Sequence, residues 1–157
     1  MKTIDMLQTT RRLVVGLSQG LPPEELVRIP TGFNNNVLWH LGHLAVTQQL
    51  LCYQMAGVPM VIDDAWVGLF RKGTSPRDWA ADASIPDYDE IVAQLHGLAT
   101  RLREDYDAGL FTGYKPYGTS AGVQLDSIED AIVFNSFHEG IHVGYLMALR
   151  RALSASA

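Results

Sequence analysis

Residues 128–149 read IEDAIVFNSFHEGIHVGYLMAL, and this stretch decides the fold. A stripe of residues recurs in it at alternating spacings of three and four, which predicts an amphipathic helix packed against other helices. The stripe consists of Ile128, Ala131, Asn135, His138, His142, Tyr145 and Leu149. Because His138 and His142 are four residues apart, their imidazoles lie one above the other on one helix face. We interpret this pair as metal ligands, since an ion satisfies two buried imidazoles at once; hydrogen-bonded core histidines are the alternative.

Two common interpretations of His138-Glu139-Gly140-Ile141-His142 lack ligands elsewhere in the chain. A zinc protease of the HExxH type takes a third ligand after the motif, but residues 143–157 contain no Asp, Glu, His or Cys. A di-iron bundle needs a second Glu-x-x-His pair and further carboxylates, and only Glu139-x-x-His142 is present. The sequence therefore favours a different kind of metal site.

A third ligand is predicted on an earlier helix. A second stripe with spacings of four and three is formed by Trp39, His43, Val46, Leu50 and Tyr53. We predict His43 as the third ligand, next to Gly42, which allows another helix to approach closely. His40 lies one turn earlier, at the edge of the same face. We expect it either to line the pocket or support a ligand, or to be partly exposed without a role. His96 falls beside the stripe of a later helix and is predicted to be solvated.

The rest of the chain predicts a single all-α domain, residues 1–157, built as a four-helix bundle. Helices are expected at about 3–18, 36–56, 88–108 and 126–153, the last opened by a capping box of Asp126 and Glu129. The second and third are joined by a long connection, 57–87, with one short helix near 65–70. A crossover of this length allows those two helices to run parallel. The one β-like run is 58–62, which Pro59 interrupts.

Composition and charge narrow the function classes. The net charge is −5, and basic residues cluster only at Arg11-Arg12 and Arg150-Arg151, which argues against a nucleic-acid partner. The single cysteine, Cys52, excludes an intramolecular disulfide and is expected to pack in a helix. There is no signal-peptide pattern and no apolar stretch of membrane-spanning length. These features predict a cytoplasmic protein without a membrane partner.

Three segments resemble the DinB superfamily: Trp39-His40-Leu41-Gly42-His43-Leu44, Phe70-Arg71-Lys72-Gly73-Thr74 and His138-Glu139-Gly140-Ile141-His142-Val143-Gly144. The resemblance covers nearly the whole chain in order and spacing. It implies a four-helix bundle of up-down-down-up topology, commonly dimeric. It also implies a divalent metal, zinc or nickel, held by three histidines that correspond to His43, His138 and His142. One departure is Tyr145, which stands where members of the family often have Gln.

Characterised members of this family include thiol transferases that use the metal to activate a low-molecular-weight thiol such as bacillithiol or mycothiol, and mycothiol-dependent isomerases. The resemblance thus implies a metal-dependent thiol S-transferase acting on a small-molecule substrate, with a metal-dependent hydrolase as a close variant. A different hypothesis is a non-enzymatic metal-binding bundle with a part in the stress response. A third is a helical dimer whose histidines are structural.

Several further residues are candidates for the site. Glu139 is a candidate proton acceptor, although a residue next to a stripe position lies about 100° around the helix and is then expected to face solvent or a partner helix. Asn135 is expected to hydrogen-bond a ligand imidazole or the substrate. The Tyr145 hydroxyl is expected either to approach the metal or to close the core. Aromatic residues of the long loops that are candidates for shaping the substrate pocket are Trp66, Phe70, Tyr114 and Tyr117.

Overall fold

The computed structural model describes residues 2–155, and most of them are helical. The six α-helices of this part are α1 (Lys2–Ser18), α2 (Pro23–Val27), α3 (Val37–Gln48), α4 (Asp64–Phe70), α5 (Tyr88–Asp107) and α6 (Ile128–Ala155). A π-helix, Gln49–Gln54, continues α3, and a 3₁₀ turn spans Pro76–Asp78. Strands β1 (Tyr117–Gly118) and β2 (Gln124–Leu125) form a small antiparallel hairpin. The all-α prediction is therefore confirmed, apart from this hairpin.

The four long helices pack on one another around two clusters of buried apolar side chains. Helix α1 contacts α6 and α5, and α3 contacts α5 and α6. One cluster of buried side chains includes Leu41, Leu44 and Leu95, and a second includes Leu7 and Leu102. The up-down-down-up order of helix directions stays a prediction. The same holds for the single domain, whose residues 1, 156 and 157 lie outside the described part.

Local hydrogen bonds explain where the helices begin. The Asn36 side chain accepts a hydrogen bond of 2.8 Å from the Trp39 backbone N–H and caps α3. The predicted capping box of Asp126 and Glu129 is wrong by one residue. Ser127 Oγ accepts instead from the Asp130 N–H at 3.1 Å, and the Asp130 carboxylate accepts from the Asp126 N–H at 3.0 Å. Segment 58–62 forms no strand.

The second predicted helix changes its geometry halfway along. From Gln49 onward the backbone bonds span five residues, for example from the Met55 N–H to the Leu50 carbonyl at 3.3 Å. Such widened turns are rare in proteins, and those that do occur are often found at functional sites. The Gln49 side chain, which is buried, accepts from the Val61 N–H at 2.8 Å and ties the π-helix to the start of the long connection.

The buried face of α6 differs from the predicted stripe. Its buried residues are Ile128, Ala131, Ile132, Asn135, Glu139, His142, Leu146, Leu149 and Leu153. His138 and Tyr145 lie at the edge of this face and are partly exposed. Glu139 is fully buried and its carboxylate contacts another helix, α1, so of its two expected surroundings solvent is wrong and a partner helix is what the structure has. The hydrophobic pattern alone does not predict a carboxylate in the core. Glu139 is buried because a cation on another helix pairs with it.

That cation is Arg11 of α1, which is also fully buried. Its guanidinium donates to Glu139 Oε1 at 2.8 and 3.0 Å and to the Leu95 carbonyl at 2.6 Å. Asn135 Nδ2 donates to the same carboxylate oxygen at 3.2 Å. One side chain thus links α1, α5 and α6.

Candidate metal site

Three imidazoles from two helices converge in the structure. His43 comes from α3, and His138 and His142 come from α6. The Nε2 atom of His138 lies 3.3 Å from that of His43 and 3.2 Å from that of His142. One ligand atom from each of the three residues lies within 4.8 Å of the others. A tetrahedral ion with Zn–N bonds of about 2.0–2.1 Å separates its nitrogen ligands by about 3.3 Å, so the spacing fits such an ion.

The long connection between α3 and α5 fixes the orientation of His43. Its Nδ1–H donates to the Phe70 carbonyl at 2.7 Å, which leaves the Nε2 lone pair directed at the other two histidines. The Trp39 indole stacks on the imidazole, with ring centroids 4.5 Å apart and planes 10° apart. Thr74 in turn accepts from the indole N–H at 2.9 Å. Phe70 and Thr74 belong to the segment that resembles the family.

Gly42 permits this contact, because α4 approaches α3 directly over it. A Cβ atom at this position would lie 2.5 Å from the Phe70 ring, closer than carbon atoms pack. The predicted close approach at Gly42 is therefore observed, with α4 as the neighbouring helix. The glycine places the Phe70 carbonyl within reach of His43.

Substitution Gly42→Ala is expected to displace Phe70 and with it the carbonyl that orients His43. Overpacking of this kind costs about 1–3 kcal/mol of stability, and we expect a weaker affinity for added zinc as well. Both are measurable, by denaturant unfolding and by competition with a zinc-binding dye. Gly16→Ala in α1 is the control, since a Cβ there meets nothing within 4 Å. Unchanged stability and affinity in Gly42→Ala would show that the contact does not position His43.

His40 supports His142 from the side opposite the cluster. The two Nδ1 atoms are 2.9 Å apart, and His40 is buried, so the expectation of a partly exposed side chain is wrong. When the Nε2 lone pair of His142 faces the cluster, its Nδ1–H donates to His40 Nδ1. Tyr145 packs its ring on His40, with centroids 4.6 Å apart, and on Phe33. His40 Nε2 and His138 Nδ1 are buried without a hydrogen-bond partner among the described residues.

Burial keeps these imidazoles uncharged. It lowers the pKa of His40 to about 3, that of His138 to about 4 and that of His142 to about 2, with a further contribution from neighbouring histidines. Burial also lowers the pKa of His43, against the hydrogen bond that it donates to the Phe70 carbonyl, which raises it. The neutral imidazole is the form that binds a metal ion.

The metal-free protein is expected to lose stability as the pH falls from 7 to 5. His40, His138 and His142 stay neutral in the folded state over this range, whereas in the unfolded chain they take up protons below the ordinary pKa of 6.5. Each such proton costs up to about 1.4 kcal/mol per pH unit, so a loss of several kcal/mol is expected from urea unfolding curves. The slope should be smaller in His138→Ala/His142→Ala and unchanged in His96→Ala, which alters an exposed histidine. An equal slope in all three proteins would contradict this account.

Two other predicted site residues have different partners from those expected. Asn135 hydrogen-bonds Glu139 rather than an imidazole. Glu139 is engaged by Arg11 through Oε1, while its Oε2 has no hydrogen-bond partner among the described residues. A role for Glu139 as a proton acceptor stays a prediction.

A cavity of about 200 Å³ adjoins His43 and His138. Its other lining residues are Thr47, Leu50, Leu51, Gln54, Met55, Lys72, Tyr117, Thr119, Ser120 and Phe134. Of the aromatic residues predicted to shape a pocket, Tyr117 lines this cavity, Phe70 and Trp66 pack on each other, and Tyr114 donates to the Leu51 carbonyl. Sequence patterns missed most of the wall, because it is formed by the π-helix, the hairpin and a loop.

The fold and the three converging imidazoles define a helical protein with a possible three-histidine metal site. The sequence model of the DinB superfamily matches residues 6–146, and the chain therefore belongs to this superfamily, as the motifs predicted. No curated protein matches the chain closely enough to count as a relative. Within residues 2–155, none of the helices has the length and apolar character that crossing a membrane requires. The cytoplasmic location stays a prediction.

Proposed function

We propose that this protein is a metal-dependent thiol S-transferase whose divalent ion, zinc or nickel, is held by Nε2 of His43, His138 and His142. The observation that supports it is the convergence of these three atoms beside an open cavity. Three protein ligands with one free position are the arrangement of catalytic rather than structural zinc sites. Membership of the DinB superfamily supports the choice of a thiol as the substrate.

An ion bound there would supply positive charge that lowers the pKa of a thiol in the free position. The chain's own residues prepare that position. Phe70 and His40 hold two imidazoles with their Nε2 lone pairs toward it. The Thr47 hydroxyl lies 3.3 Å from His43 Nε2 and is placed to hydrogen-bond the donor atom of a substrate. Leu50, Leu51 and Phe134 give the cavity an apolar wall that limits access of water.

The proposed reaction is a substitution at carbon and needs no oxidant or reductant. The thiol loses its proton to solvent, and its sulfur forms a bond to an electrophilic carbon. The bond from that carbon to the leaving group breaks, and the leaving group departs with the electron pair. The same metal position would equally present water to an ester or amide, so a hydrolase is the alternative that this cavity supports.

Turnover by the zinc- or nickel-loaded protein tests the proposal. Bacillithiol, mycothiol and simpler thiols would be offered with an alkyl halide, and the thioether product would be measured by mass spectrometry. The rate with at least one thiol is expected to exceed that of the His138→Ala/His142→Ala variant under the same conditions. Equal rates with every thiol would refute the transferase. Hydrolysis of an ester panel by the same two proteins would then identify the alternative.

We also propose that the protein forms a homodimer through α6, as is common in the family. Val133, Phe137 and Ile141 recur every four residues on this helix, and each is more than half exposed, at 53%, 55% and 52%. A row of large exposed apolar residues on one helix face is typical of an interface. Phe137→Glu/Ile141→Glu is expected to give a monomer by light scattering, with unchanged helix content. Val27→Glu, at an exposed apolar residue of α2, is the control. A wild-type monomer would refute this proposal.

A further inference from the structure

The wall of the cavity beside the histidines carries a positive charge, whereas the chain as a whole is acidic. The two histidines in its wall are uncharged, and among residues 2–155 Lys72 is the one charged side chain that lines it, with no Asp or Glu. The chain as a whole has a net charge of −5. Lys72 is exposed and forms no ion pair with any residue in 2–155. A cation without a counter-charge, beside a site for a divalent cation, makes this cavity locally positive.

The position of Lys72 is linked to that of the metal site. Lys72 stands two residues after Phe70, whose carbonyl accepts a hydrogen bond from His43. Across the cavity, the turn of the hairpin contributes Thr119 and Ser120, and the π-helix contributes Leu50 and Gln54. The wall therefore combines one cation, hydroxyl and amide groups, and apolar side chains. A ligand that fits this wall has an anionic group, an apolar part and a donor atom for the ion.

We infer that Lys72 selects substrates with a carboxylate, which pairs with its ammonium group while the ligand's donor atom lies at the histidine cluster. The inference rests on the proposed function for the position of the donor atom and adds the class of substrate. An exposed pair of this kind contributes up to about 1 kcal/mol, which is about fivefold in affinity. Lys72 is in this view a specificity residue, and it does not bind the metal.

Two thiols that differ only in the carboxylate measure its contribution to binding separately from that of the sulfur donor. 3-Mercaptopropionate and 3-mercaptopropionamide have the same thiol and differ in charge. Binding to the cobalt-loaded protein would be followed by the thiolate-to-cobalt absorption band. The wild type is expected to bind the carboxylate about fivefold more tightly than the amide. Lys72→Met should bind both with the affinity that the wild type shows for the amide. Arg71→Met is the matched control, since this neighbouring exposed cation does not line the cavity. It should keep the preference.

The possible failures are distinguishable. Equal binding of the two thiols by the wild type, or a preference that survives in Lys72→Met, overturns the inference and leaves the thiol chemistry intact. If neither thiol gives an absorption band, the thiol part of the proposed function falls. The inference is then decided by imidazole-4-propionate and its amide, which present a nitrogen donor with the same change of charge. A preference for the carboxylate that requires Lys72 supports it, and equal or absent binding of this pair overturns it.

Discussion

Replacing both His138 and His142 by alanine is expected to lower the metal content from nearly one ion per chain to almost none. The variant removes two of the three Nε2 atoms that lie 3.2 and 3.3 Å apart, and His43 alone is a weak ligand. Elemental analysis by mass spectrometry of tag-free protein measures the effect directly. His96→Ala is the control, because it removes an exposed histidine outside the cluster. It should leave the content unchanged.

Thermal unfolding provides a second measurement of the same site. An ion that binds only the folded state stabilises it by about 4 kcal/mol when its free concentration is a thousand times the dissociation constant. Added zinc should therefore raise the melting temperature of the wild type and leave that of the double variant unchanged. Metal in neither protein, even after addition of zinc, would show that the histidines are structural. Full metal content in the double variant would place the ion elsewhere.

The trio of histidines is predictable from sequence because each signal is local. His138 and His142 are four residues apart on one helix, and His43 lies on the stripe of another. The ends of α1, α5 and α6 agree with the predicted ones within two residues, since these helices have strong periodicity and polar side chains cap the starts of α5 and α6. Whether three such residues meet depends on how the helices pack, and the structure shows that they do.

Other features of the site depend on contacts between distant parts of the chain. For Glu139 the sequence left solvent and a partner helix open, because its partner Arg11 is 128 residues away and no local pattern links them. His40 is buried for a similar reason, since the imidazole that it contacts belongs to α6. The π-helix has no distinctive sequence pattern, and the strands of the hairpin are only two residues long. These elements form much of the cavity wall, so the histidines were more predictable than the pocket.

The second large effect is expected at the buried ion pair. Arg11→Met leaves the Glu139 carboxyl in the core without its cation, which typically costs about 3–5 kcal/mol. The pair is fully buried, and the guanidinium also binds the Leu95 carbonyl, so water cannot replace it without opening the contact between α1 and α6. Urea unfolding of the metal-free protein measures the loss. Arg12→Met, at the exposed neighbour, is expected to change the free energy of unfolding by less than about 1 kcal/mol.

A double variant distinguishes the cost of leaving one charge unpaired from the loss of the ion pair as a whole. Arg11→Met/Glu139→Met removes both charges together and is expected to recover most of the stability, because an apolar pair of similar volume needs no counter-charge. The pH dependence gives an independent check. Burial raises the pKa of the Glu139 carboxyl above its ordinary 4.5, and the Arg11 guanidinium acts against that rise. In Arg11→Met the folded state therefore keeps a proton that the unfolded chain releases above pH 4.5. Relative to the double variant, Arg11→Met should then be less stable at pH 8 than at pH 5. A difference that does not depend on pH would mean that packing, rather than the unpaired carboxyl, causes the loss.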